Sequence, residues 1–340
     1  MNWQTYLDSV GAQRQDADVT GFGQPAAELQ ALEQSAALVP LTNFGLIRLA
    51  GPETIPFLHG QVSSDVKKLP ALGAQFSTYS TPKGRMLASL LLVRQGDDLV
   101  LQLPTPLVPA IQKRLSMYIL RSKTRAEDVS GTMAALGLAG PQAASVLATA
   151  FGFKATADYA VEQIEGTTIV RLPGGRFVLH LGIDDAPACW ARLTAAGAVP
   201  AGVPAWTLSD IRAGIVWVVP GTQEEFVPQM ANMELIGAVN FQKGCYPGQE
   251  IVARTQYLGK LKKRAFRVAS AHAMQPGDPV YSADMNGQAS GLIALSAPAG
   301  NGQWESLAVV QLGSLEHGLH LTSLEGPALE VLPLPYTVRE

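Results

Sequence analysis

The chain of 340 residues reads as an α+β protein with two similar halves followed by a small β-barrel. Three observations predict this. A β-α-β-β-α order of segments occurs twice between residues 38 and 196, the order of ferredoxin-like halves. Beyond Gly259 helical patterning stops, and short apolar segments alternate with Pro, Gly and Asn turns, as in a barrel or sandwich. Hydrophobic residues make up 47% and charged residues 16%, enough apolar material for more than one core. The expected divisions are a helical extension at 1–37, a core at 38–258 made of two partly interleaved lobes (38–130 and 131–258), and the barrel at 259–340.

The elements follow in order. Residues 25–37 predict one helix, and 38–49 strand material with a turn at Thr42-Asn43. Residues 53–66 predict a helix with Pro56 in its first turn and Ile55, Phe57, Leu58 and Val62 as apolar positions. Segments 76–79, 86–94 and 99–103 predict strands, the last two joined by a Gln95-Gly96-Asp97-Asp98 turn. Ile111, Leu115, Tyr118 and Ile119 share one face of a helix at 108–121. The second half repeats the order: strand 133–138, helix 142–151, strand 168–172, a Gly174-Gly175 turn, strand 176–181 and helix 186–196. The barrel strands are expected at 260–269, 275–281, 287–296, 306–312 and 329–332.

A net charge of −3 and a pI near 6.0 argue against general coating of nucleic acid. Two distant cysteines do not make a disulfide framework and point to a reducing compartment. Residues 1–20 carry three aspartates and no apolar stretch of signal-peptide type. No run approaches the roughly 18 apolar residues of a membrane span. A soluble cytoplasmic protein is expected.

The densest chemistry lies at Lys243-Gly244-Cys245-Tyr246-Pro247-Gly248-Gln249-Glu250, followed by Ile251-Val252-Ala253-Arg254. Pro247 suits the first position of a helix in which Ile251, Thr255 and Leu258 recur, with Gly259 as its stop. Cys245 would then lie near a helix N-terminus, where positive potential favours a thiolate, and Lys243 pushes the same way. Gly244 and Gly248 permit tight turns. Gln249, Glu250 and Arg254 would position the loop or bind a partner, or serve as caps and an (i, i+4) pair. Cys189 has apolar neighbours and reads as core.

Lys260, Lys262, Lys263, Arg264 and Arg267 form one basic run, and Lys113, Arg114, Arg121, Lys123 and Arg125 another. Most such runs are solvated faces; the functional alternatives are a landing site for a polyglutamate tail or for RNA. The five histidines show no metal-ligand spacing, so no intrinsic metal is expected. No Cys-x-x-Cys pair is present either.

The Lys243–Arg254 block resembles the signature of the YgfZ family, relatives of the aminomethyltransferase (GcvT, T-protein) of the glycine cleavage system. Phe226-Val227-Pro228-Gln229-Met230, Phe57-Leu58-His59-Gly60-Gln61-Val62, Lys83-Gly84-Arg85-Met86 and Leu334-Pro335-Tyr336 fit it too. The resemblance implies a GcvT-like fold of two intertwined ferredoxin-like lobes and a C-terminal β-barrel, with a folate cavity between the lobes. It implies a tetrahydrofolate-binding accessory protein that supports assembly or repair of iron–sulfur enzymes, with indirect effects on tRNA modification. Partners would be cluster enzymes or cluster-assembly proteins, and were a cluster to touch the chain, Cys245 would be its only ligand, shared and transient. The alternatives are a folate-dependent one-carbon transferase with Cys245 as nucleophile and, third, a tRNA-binding module. By the resemblance, Trp206 and Phe44 stand at folate-contacting positions, and flat apolar faces suit a pterin. Two departures matter. The acidic pair that includes the aminomethyltransferase's catalytic aspartate is replaced by Ala88 and Ser89. The Ile-Glu-Ala-Gly pattern reads Ile211-Arg212-Ala213-Gly214, where Arg212 could pair with a ligand carboxylate or be solvated. Glycine-cleavage activity is therefore expected to be absent.

Overall fold

The computed structural model describes residues 2–257, 259 and 261–338. The chain forms two units, each assembled from several stretches. One comprises Met1–Thr54, Leu69–Ala74 and Leu92–Ser209; the other Ile55–Lys68, Gln75–Leu91 and Asp210–Glu340.

The first unit holds a six-stranded sheet in the order Val161–Ile164, Thr167–Leu172, Arg176–Gly182, Met133–Ala139, Ala37–Pro40, Val199–Pro200. Only the last pair is parallel. Helices Ala143–Phe151 and Ala186–Ala195 fit the sequence reading within a residue or so. Each pays out an apolar stripe: Val146, Leu147 and Ala150 from one, Cys189, Trp190 and Leu193 from the other. These join Leu136, Leu138, Phe177, Leu179 and Leu181 of the sheet in a single core. Cys189 is thus a core residue, and burial pushes its thiol up to about 12. The extension is richer than one helix. Trp3–Ser9 is a helix capped by the Asn2 carboxamide oxygen, which accepts from the Thr5 N–H at 2.8 Å, and Trp3 and Leu7 enter the same core. A hairpin, Gln13–Gln15 and Asp18–Gly21, precedes the helix Pro25–Gln34.

A second sheet is ordered Leu72–Ser80, Met86–Gln95, Asp98–Pro104, Phe44–Ala50, Arg125–Asp128, and its first two strands each belong partly to both units. The helix Val108–Ile119 packs beside it with Val108, Ile111 and Leu115 buried. The second unit ends in a closed barrel of six strands: Lys263–Ser270, Gln303–Gln311, Ala289–Gly300, Pro279–Tyr281, Leu319–Leu321 and Ala328–Leu332. Val268, Met274, Ile293, Ala308 and Val310 fill it. Closure removes the exposed edges that such short strands would otherwise present.

Four expectations need correction. The predicted helix at 53–66 ends at His59, and the chain then turns. The predicted helix after the signature starts at Gln249 instead of Pro247. Gly248 adopts φ +83°, a left-handed conformation incompatible with a helix running through it. The helix Val203–Arg212 and the strand Leu319–Leu321 were not predicted. Leu258 and Lys260 lie outside the described residues. No helix among the described residues is long and apolar enough to cross a membrane.

Candidate functional site

In the second unit, residues 59–66, 77–84 and 238–252 build one neighbourhood around the signature. It starts with hydroxyls. Ser63, fully buried, donates from Oγ to the Ala238 carbonyl at 2.7 Å and accepts from the Thr78 N–H at 2.9 Å. Its carbonyl accepts from the Asn240 N–H at 2.9 Å. The segment that leads into the signature is therefore stitched to 62–64 before the motif begins.

Lys243 completes the stitching. It is buried, and its Nζ donates to the carbonyls of His59 and Val62. Those carbonyls lie at the end of the Thr54–His59 helix and just beyond it, so the ammonium acts as a helix C-cap delivered from 180 residues away in sequence. The ammonium also lies over the Tyr246 ring, 4.9 Å from its centroid. Burial depresses its pKa to about 8, against the pull of Asp65. Tyr246 is itself buried, and burial pushes its hydroxyl up to about 12.

The loop is also held from its other end. Gly248 packs so closely on the 81–84 turn that a Cβ there would lie 2.5 Å from the Thr81 carbonyl and 2.7 Å from Gly84 Cα. Gln249 Nε2 donates to the Lys243 carbonyl at 3.2 Å, and Gln229 Nε2 to the Val252 carbonyl at 2.7 Å. Between these fixed points Cys245 is exposed. It lies four residues ahead of the first helical residue, not in the first turn of the helix. Glu250 and Arg254 are exposed on that helix.

Sequence reasoning missed His59 and Asp65. His59 Nδ1 stands 3.3 Å from Asp65 Oδ1, with both side chains largely buried. Its Nε2 lies 3.8 Å from the point a Gly244 Cβ would occupy, beside the residue that precedes the cysteine. Burial and the Lys243 charge lower the His59 pKa, while Asp65 opposes them. No periodicity marks this pair; only the close approach of 59 to 244 reveals it.

The other expected residues are distributed differently. Trp206 and Phe44 are buried in the first unit. The Trp206 ring lies on Gly137, where a Cβ would come within 2.4 Å of Cε3, and the Arg176 guanidinium stands 5.6 Å from the ring centroid. On the strand Arg176–Gly182, Phe177, Leu179 and Leu181 enter the core, so Arg176, Val178 and His180 point to the other face, the face that carries Trp206. There His180 Nε2 is 2.8 Å from Gln102 Oε1. Trp206 Nε1, Gln102 Nε2 and His180 Nδ1 are buried with no hydrogen-bond partner. Burial lowers the His180 pKa to about 4.

Arg212 is half-buried and paired within the chain. It pairs with Glu305 at 3.0 Å, and Arg267 reaches the same carboxylate at 2.7 Å. Arg264 is buried against the Glu234 carboxylate and the Gln229 carbonyl. The run at 260–267 is thus partly consumed by internal partners rather than forming an open basic face. Ala88 and Ser89 are fully buried, and Ser89 Oγ accepts from the Val218 N–H at 2.8 Å.

The GCVT N-terminal domain family matches residues 19–243. A protein of Pectobacterium atrosepticum named tRNA-modifying protein YgfZ is 28% identical over 312 residues, 90% of this chain and 93% of its own. The protein of the same name in Colwellia psychrerythraea is 32% identical over 232 residues, 67% of this chain and 70% of its own. The chain belongs to the YgfZ family. Its fold is GcvT-like: the glycine cleavage system aminomethyltransferase T from Bartonella henselae superposes with a TM-score of 0.81 over 98% of this chain and 96% of that one, at 18% identity. At that identity the likeness concerns the fold alone. In this YgfZ family member Ala88 and Ser89 are both buried, and Ser89 is occupied in capping a backbone N–H.

Proposed function

We propose that this chain is a tetrahydrofolate-binding accessory protein that supports assembly or repair of iron–sulfur enzymes, with tRNA modification affected through them. The observation that carries this reading is the construction of the signature. Two anchors, Lys243 and Gly248, fix a loop whose one exposed nucleophilic side chain is Cys245. Such a loop presents sulfur to a partner's surface. The imidazole of His59 beside Gly244 is placed to exchange a proton with groups that approach the loop.

The hydrogen-bonding capacity of the first unit suits a folate. Trp206 Nε1 and Gln102 Nε2 are buried donors in want of acceptors, and a pteridine edge carries a carbonyl and ring nitrogens. Trp206 would act as a donor rather than a stacking platform, because Gly137 and Arg176 already cover its ring. Phe44, also buried, would contribute apolar lining. Arg212 is engaged by Glu305 and would not reach the ligand. When bound, tetrahydrofolate supplies a nitrogen that accepts or donates a one-carbon unit. The competing reading, a one-carbon transferase with Cys245 as nucleophile, draws on the same exposed sulfur.

Two variants test the proposal. Trp206→Phe keeps an aromatic ring and deletes the N–H; it is expected to weaken tetrahydrofolate binding about tenfold by calorimetric titration, the worth of one buried hydrogen bond. Cys245→Ala is expected to keep fold and folate affinity while lowering the activity of cluster-dependent enzymes in cells that lack the native gene. Undiminished cluster-enzyme activity would remove Cys245 from the site. Formation of a one-carbon product by the purified wild type, lost in Cys245→Ala, would favour the transferase.

A further inference from the structure

The second basic cluster surrounds an apolar group that the fold leaves uncovered. On the helix Val108–Ile119 one face is buried. On the opposite face Lys113 and Met117 stand one turn apart, both exposed, while Arg114 and Tyr118, also one turn apart, flank the buried face. Met117 is 59% exposed, Tyr118 45% and Leu120, just past the helix end, 85%. Leu120 also holds φ +45° and ψ −100°, a conformation that an L-residue rarely adopts. With its side chain in solvent, packing within the chain does little to offset that strain. Arg121 follows, exposed.

We propose that this face docks an acidic protein segment, an amphipathic stretch whose apolar side chains meet Leu120 and Met117 and whose carboxylates meet Lys113, Arg114 and Arg121. Charge complementarity selects the acidic partner. The mixture of Met, Tyr and Arg is that of protein interface cores. RNA fits less well. Its bases stack on open aromatic faces, whereas the anchors here are aliphatic and the Arg114 guanidinium lies 5.6 Å over the Tyr118 ring. A second copy would set like charges against each other in a symmetric pair. A polyglutamate tail has nothing to place on Leu120. The assignment is independent of the folate reading.

A random dodecamer display library selected on the purified full chain tests it, with Leu120→Asn/Met117→Ser as counter-selection. Asn tolerates positive φ, so this variant should melt at or above the wild-type temperature. The expected winners interleave Asp or Glu with Leu, Ile or Phe. As synthetic peptides they should bind the wild type at least tenfold more tightly than they bind either this variant or Lys113→Glu/Arg121→Glu. The proposal falls if the winners lack either feature or bind the variants equally well. It also falls if a γ-linked polyglutamate peptide matches them, or if total tRNA or anionic phosphatidylglycerol vesicles, rather than peptides, lose binding in the same variants.

Discussion

At the scale of single residues, burial decides chemistry more than residue type does. Two histidines illustrate this. His59 and His180 look alike in sequence, yet one stands beside an exposed loop and the other is sealed between strands. His180 has a folded pKa near 4 against an ordinary value of 6.5, so the unfolded chain binds the extra proton first. Its contribution to stability is whole above pH 6.5 and is lost as pH falls toward 4. Between pH 7 and pH 5 this one group should remove about 2 kcal/mol of unfolding free energy. Denaturant unfolding at the two pH values measures the loss, and His180→Gln should flatten it; an unchanged pH slope in that variant would show that His180 is not the titrating group. Cys245, Lys243 and the signature glycines could be singled out from their neighbours alone. The partners of Lys243 could not, because they are main-chain carbonyls far away in sequence.

At the scale of elements, the signature is a junction rather than a helix cap. The Thr54–His59 helix stops where Lys243 Nζ donates to the His59 carbonyl, and the Gln249–Tyr257 helix starts only after Gly248 has turned on the 81–84 segment. Gly248→Ala combines a left-handed φ with a Cβ 2.5 Å from a carbonyl oxygen. It should destabilise the protein by about 2–4 kcal/mol and speed alkylation of Cys245 by iodoacetamide as the loop loosens. An Ala variant with wild-type melting and alkylation rates would mean that Gly248 is not an anchor. Most strands and helices were legible within a few residues, since their apolar periods match the faces they bury. The helix at 53–66 was misjudged because its apolar pattern continues to Val62, which instead bridges to Tyr79. Val203–Arg212 was missed because only its opening Pro204-Ala205-Trp206 stood out.

At the scale of the whole molecule, family and fold agree, and the loss of aminomethyl transfer is a prediction of its own. Aminomethyl transfer needs a group to orient or accept a proton at the folate nitrogen, and Ala88 and a Ser89 committed to the Val218 N–H offer none. Purified protein supplied with tetrahydrofolate and aminomethylated lipoyl carrier is expected to form no methylenetetrahydrofolate. Formation at a rate that scales with protein would overturn this. The ion pairs tell the same story of reassignment: Arg212, in place of an acid, now serves Glu305 together with Arg267. Replacing Glu305 would remove the carboxylate that the two arginines share.

Local pattern was enough to establish the α+β class, the closing barrel and the motif around Cys245, because periodicity, glycine and proline act over a few residues. Tertiary structure alone decided where charge goes. It sent Lys243 to a helix end, Arg212 and Arg264 to carboxylates, and Trp206 into a sheet face beside unpaired donors. These outcomes depend on which distant groups share a low-dielectric space, and a linear chain does not specify that until it has folded.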